Sequence, residues 1–151
     1  MHKLLIIDGH SLAYRAFYSS PPTMTLSDGQ PVNAIYGFVV LLFKAIEKFN
    51  PDAICICFDR KEPTFRHELY KEYKAHRPET PEELKHQIPL LMKVINELGI
   101  RTLSMAGFEA DDLIGTLSLI AEKKHYQTLI MTGDKDEFLS HLFFSLSGKT
   151  G

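Results

Sequence analysis

The chain has 151 residues, which suits one domain with a real core, and its 44% hydrophobic and 24% charged residues lie close to the globular average. A net charge of −2 excludes a uniformly basic nucleic-acid coat. No uninterrupted apolar run is longer than Phe38 to Phe43, far too short to cross a bilayer, and Met1-His2-Lys3 enters a strand-like segment with no signal-peptide pattern, so no membrane association and a cytoplasmic location are expected.

Taken in chain order, Leu4-Leu5-Ile6-Ile7 closing on Asp8 has the continuous apolar character of a strand buried on both faces. Ser11 to Tyr18 predicts a short helix and Pro21 to Pro31 a loop. Asn33 to Phe49 carries Ile35, Phe38, Val39, Leu42, Phe43 and Ile46 at helical spacing, and Asn50-Pro51 stops it. A second strand, Ala53 to Phe58, closes on Asp59. Its two cysteines, Cys55 and Cys57, alternate toward one side, a geometry that predicts reduced core residues rather than a disulfide or a zinc site. The segment from Arg60 to Pro81 is long for a strand-to-helix connection and has its own amphipathic pattern, so a helical insertion at the mouth of a site is expected. Pro81-Glu82-Glu83 opens a helix that runs to Leu98 and closes at Gly99, with a kink expected at Pro89. Ile100 to Met105 is a weaker strand, Glu109 to about Lys124 a helix, and Thr128 to Met131 a strand ending at Thr132-Gly133-Asp134. This alternation predicts an α/β domain with a mainly parallel sheet flanked by helices.

Charge is segregated. Arg60 to Arg77 holds six Lys/Arg against three Glu, a local net of +3, which leaves −5 on the remainder. A solvated helix face would explain the basic stretch by itself. Beside it, however, acids recur at one predicted edge: Asp8, Asp59 and Asp134 at strand ends, Asp136 two residues on, and Glu109, Asp111 and Asp112 at a helix start. Singly, each reads as a cap, a turn or a residue favoured by the helix dipole. Together, at the carboxyl edge of a parallel sheet, they would repel one another unless cations sat among them. Oxygen donors select a hard ion such as Mg²⁺, and two such ions about 4 Å apart suit in-line displacement at a phosphodiester.

These residues also carry a resemblance. Leu5-Ile6-Ile7-Asp8-Gly9-His10-Ser11-Leu12-Ala13-Tyr14-Arg15-Ala16-Phe17 resembles the opening of the 5′ nuclease domain attached to bacterial DNA polymerase I. Asn33 to Phe38, Phe58-Asp59, Thr64 to Tyr70, Tyr73-Lys74-Ala75-His76-Arg77-Pro78, Glu109-Ala110-Asp111-Asp112 and Thr132-Gly133-Asp134-Lys135-Asp136 follow in the family's order, so the likeness covers residues 3 to about 136. It implies a PIN-like fold with a helical arch at about 60–81. It also implies 5′-3′ exonuclease and 5′ flap endonuclease activity on DNA with a flap, nick or gap, in replication and repair, and removal of RNA primers from RNA–DNA hybrids. The seven acids match the family's metal-site positions, for Mg²⁺ with Mn²⁺ as a substitute. Lys74 and Arg77 match arch residues that approach the scissile phosphate; their three-residue spacing lets both meet one phosphate and offset developing charge. Tyr14 and Arg15 match residues near the site, and Arg66 and Lys71 suit phosphates elsewhere along a strand. A monomer is expected.

From Glu137 onward the tail departs from the family, which continues into a helix-hairpin-helix region. The expectation is of a fragment, a frame-shifted product or a short natural chain in which one metal site is largely intact, the second lacks ligands and activity is weak or absent. The competing reading is a non-catalytic nuclease-like module that holds DNA. Phosphoryl transfer through an Asp8 nucleophile is disfavoured, because Asp8-Gly9-His10 lacks a second acid two residues on.

Overall fold

In the computed structural model, which describes residues 2–60, 80–133 and the backbone of 143–145, the central strand of the sheet is β1 (Lys3–Asp8). This strand pairs in parallel with β2 (Ala53–Cys57) on one side and with β4 (Gln127–Met131) on the other. Strand β3 (Arg101–Leu103) extends the sheet beyond β2, and β5 (Phe143–Ser145) adds an antiparallel edge beside β4, giving the order β3-β2-β1-β4-β5. The four predicted strands are thus present and parallel. The third, β3, is shorter than the predicted Ile100 to Met105, and β5 is an addition the sequence did not suggest.

Helices α1 (Gly9–Ser19), α2 (Asn33–Phe49) and α3 (Glu82–Glu97) cover one face of the sheet, and α4 (Ala110–Lys123) covers the other. Strand alternation divides the core accordingly. Leu5, Ile7, Ile56, Leu129 and Met131 meet Leu12, Phe38, Leu42, Leu91 and Ile95 on the first face. Ile6, Cys57 and Ile130 meet Ala110, Leu113 and Ile114 on the second. Both cysteines are free thiols, Cys57 buried and Cys55 half-buried, as their alternation implied.

Helix boundaries follow local chemistry. α2 ends where Asn50 takes the left-handed conformation at φ 46°, a region Asn tolerates, and its N–H bonds Ile46 O at 2.8 Å. α3 runs on through Pro89 without interruption, because Pro89 lies on the exposed side, where the lost backbone bond falls to solvent. The start of α2 has no cap of its own. Instead, fully buried Gln87 of α3 accepts from the N–H groups of Ala34 (2.8 Å) and Ile35 (3.4 Å). Gln87 Nε2 donates to Asn33 Oδ1 (2.9 Å), and Asn33 Nδ2 donates to Phe17 O (2.9 Å), so two amides bind three helices. Among the described residues no helix is long and apolar enough to cross a membrane.

Candidate functional site

The carboxyl edge of the sheet gathers the described acids. Asp8 ends β1 in register with Cys57 of β2, and Asp59 follows two residues beyond. By strand alternation Asp8 continues the Leu4-Ile6 row, so it projects on the side that α4 covers. Its carboxylate caps α1, with Oδ1 accepting from Ser11 N–H at 3.2 Å.

Asp59 is joined directly to α4. Its Oδ1 accepts from Ala110 N–H at 2.6 Å, a short charge-assisted bond. That N–H is one of the orphan donors at the helix start, where the dipole also favours an anion. In the next residues, Asp112 Oδ2 accepts from Glu109 N–H at 2.9 Å, one arm of a capping box that turns Glu109, only 5% exposed, inward. Asp59 and Asp112 therefore both bond backbone N–H groups at the start of α4, and Asp111 is exposed on the same first turn.

His10, two residues after Asp8 in sequence, meets Asp59. Its Nδ1 accepts from Asp59 N–H at 3.1 Å, and its ring meets Phe58 edge-on at 5.2 Å between centroids. Burial holds the imidazole below its ordinary value of 6.5, outweighing the pull of the Asp59 carboxylate. The ring is therefore neutral with its proton on Nε2, and the 3.9 Å approach of Nδ1 to Asp59 Oδ2 is not an ion pair. On the other side of β1, Gly133, the residue before Asp134, donates its N–H to Ser11 Oγ at 2.9 Å. A β-carbon there would strike the Ser11 carbonyl, so only glycine allows β4 to end this close to α1. Gly9 plays the same part under the Phe58 ring. Sequence reasoning passed over His10 and Ser11 as site residues; no spacing signal marks them, because their partners lie 49 and 122 residues away.

Tyr14 lies exposed on α1, with its ring 4.9 Å from that of Tyr18, and half-buried Arg15 follows it. The arch positions Arg66, Lys71, Lys74 and Arg77, and the acids Asp134 and Asp136, lie outside the described residues. Among the described residues, no three His, Cys, Asp or Glu side chains are grouped closely enough to hold a metal ion by themselves. The donor set is nonetheless all carboxylate oxygen, and Mg²⁺ binds through as few as one or two carboxylates while keeping several waters. The carboxylates at this edge, Asp8, Asp59, Glu109 and Asp112, are thus of the donor type that suits a hard divalent ion.

Known proteins resemble this chain. DNA polymerase I of Thermus thermophilus is 44% identical over 134 residues, covering 89% of this chain and 16% of that one. DNA polymerase I of Mycobacterium tuberculosis is 45% identical over 134 residues, covering 88% and 15%. The chain thus spans about a sixth of the length of the curated relatives it matches. A crystal structure of the bacteriophage T5 flap endonuclease in complex with DNA and metal ions superposes with a TM-score of 0.64 at 21% identity, covering 89% of this chain and 50% of that one, which shows a shared fold. The model of the 5′-3′ exonuclease N-terminal, resolvase-like domain matches residues 3–140, and this chain belongs to that family.

Proposed function

We propose that the carboxylate edge binds Mg²⁺, with Mn²⁺ as a substitute, and that the chain hydrolyses, weakly for the family, phosphodiesters of DNA at a 5′ flap, nick or gap, or of an RNA primer in a hybrid. The observation that carries this reading is Asp59, held by the start of α4 through one carboxylate oxygen while Asp8 ends the neighbouring strand at the same edge. When bound, divalent ions there supply phosphoryl polarisation and ease deprotonation of the attacking water. The chain's own residues bind and orient. Asp8, Asp59, Glu109, Asp111, Asp112, Asp134 and Asp136 supply the anionic rim. Lys74 and Arg77 meet the scissile phosphate and offset its developing charge. Arg66 and Lys71 hold phosphates further along, and Tyr14 and Arg15 face the strand from α1. These backbone contacts are blind to sequence and weaken with salt.

The test is cleavage of an end-labelled 5′-flap duplex in Mg²⁺. The expected result is cutting near the junction, abolished by EDTA and slowed about a hundredfold by Asp59→Asn, with DNA still bound. A chain that binds the duplex but cuts it in neither Mg²⁺ nor Mn²⁺ is the non-catalytic module instead.

A further inference from the structure

We propose that His10 and Ser11 are positioning residues for the carboxylate edge: consecutive side chains in the first turn of α1, they accept the backbone N–H groups of the loops leaving both strands that flank β1. His10 Nδ1 takes the N–H of Asp59 at 3.1 Å, and Ser11 Oγ takes the N–H of Gly133 at 2.9 Å. Neither bond belongs to the sheet ladder or to a helix. Each acts at, or one residue before, an acid of the proposed site.

The need for such anchors is electrostatic. Asp8 is fixed by β1 itself, but Asp59 and Gly133, the residue before Asp134 in sequence, lie two residues past the ends of their strands, beyond the last ladder pairs. Carboxylates brought toward one another repel, most strongly when no cation is bound. A loop held only by its strand would relieve that repulsion by swinging outward, and the ion would then have to draw it back at a cost in affinity. The two bonds tie both loops to the same helical turn that starts at Asp8. Close packing supports each one. The Phe58 ring lies edge-on to His10 and over Gly9, where a side chain would displace it. Gly133 is seated against the Ser11 carbonyl and the Arg15 β-carbon.

The inference rests on the divalent-ion reading of this edge, and the experiment separates the two. Mn²⁺ binding to the 151-residue chain is measured by calorimetry and by the electron paramagnetic resonance of the unbound ion. His10→Leu and Ser11→Ala should each weaken Mn²⁺ binding roughly ten- to a hundredfold. His10→Asn, whose Oδ1 falls close to the place of Nδ1, and Ser11→Thr keep an acceptor and should restore affinity to near that of the unmodified chain. Amide exchange at Asp59 and Gly133 should quicken in the first pair and slow again in the second, with no ion present. Gln87→Leu removes the side-chain acceptor of two backbone N–H groups elsewhere, so it should lower the melting temperature without weakening Mn²⁺ binding. Unchanged affinity in His10→Leu and Ser11→Ala overturns the inference alone, and equal weakening by Gln87→Leu overturns it as mere loss of stability. An unmodified chain that binds no Mn²⁺ overturns the functional reading and the inference with it.

Discussion

Asp52 gives the fold a pH dependence whose sign can be worked out. Lys3 N–H donates to Asp52 Oδ2 at 2.7 Å, and Asp52 N–H donates back to Lys3 O at 2.9 Å, so this side chain pins the start of β1 to the approach of β2. The bond from Lys3, and after it the nearby His2, hold the carboxyl below its usual value of 3.8. As pH falls, the unfolded chain takes up the proton first. The contribution is therefore present above that usual value and is lost as pH falls through the lower, folded one. Asp52→Asn should be less stable than the unmodified chain at about pH 6, and the gap in urea midpoints should close by about pH 2. Two glycines make a second contrast. Gly133→Ala drives a β-carbon into the Ser11 carbonyl and should cost about 1–3 kcal/mol. Gly115→Ala, in open space inside α4, should add about 1 kcal/mol. Urea denaturation of both variants checks opposite signs for the same substitution. Neither outcome is legible in the sequence, where both are simply glycines, because the difference is set by a backbone more than a hundred residues away.

Elements were legible to the extent that their signals were local. Leu4 to Ile7 reads as a strand because burial on both faces demands an unbroken apolar run, and Asn50-Pro51 marks the end of α2 because Asn tolerates the turn that Pro then enforces. The short Phe143–Ser145 strand escaped notice: three residues carry no period, and only pairing with β4 defines them. The capping of α2 escaped for a similar reason. Val32 offers no side-chain bond at the helix start, and the acceptor arrives from Gln87, 53 residues on. Burying two N–H groups without that acceptor is expensive, so Gln87→Leu should destabilise the chain by about 2–3 kcal/mol despite its apolar replacement. The check is a denaturant midpoint beside that of Gln87→Glu, which keeps an acceptor oxygen. At the start of α4, Glu109 and Asp112 were legible as acids at a helix start, but the structure adds that Asp112 is engaged with the Glu109 backbone, a cap as well as a charge.

At the scale of the molecule, the sheet order explains why acids so distant in sequence share an edge. The chain leaves β1, builds outward through β2 and β3, then crosses to β4 on the opposite side, so the loops after β2 and β4 flank Asp8. That the acids recur at strand ends was readable from the sequence; how their loops are held was not, because it depends on bonds from α1. If divalent ions bind here, they bind the folded state alone. Mn²⁺ at a hundredfold excess over its Kd should then add about 2.7 kcal/mol of stability, seen as a rise in melting temperature that EDTA reverses and Asp59→Asn abolishes. The central place of β1 also constrains how the chain can be made. Its residues are made well before those of β4, yet Lys3 meets Gln127 and Ile7 meets Met131, so the pairing waits for more than a hundred further residues. Until then one margin of an apolar strand stays open, so nascent chains stalled before β4 should cling to chaperones, and folding should be slow for the domain's size.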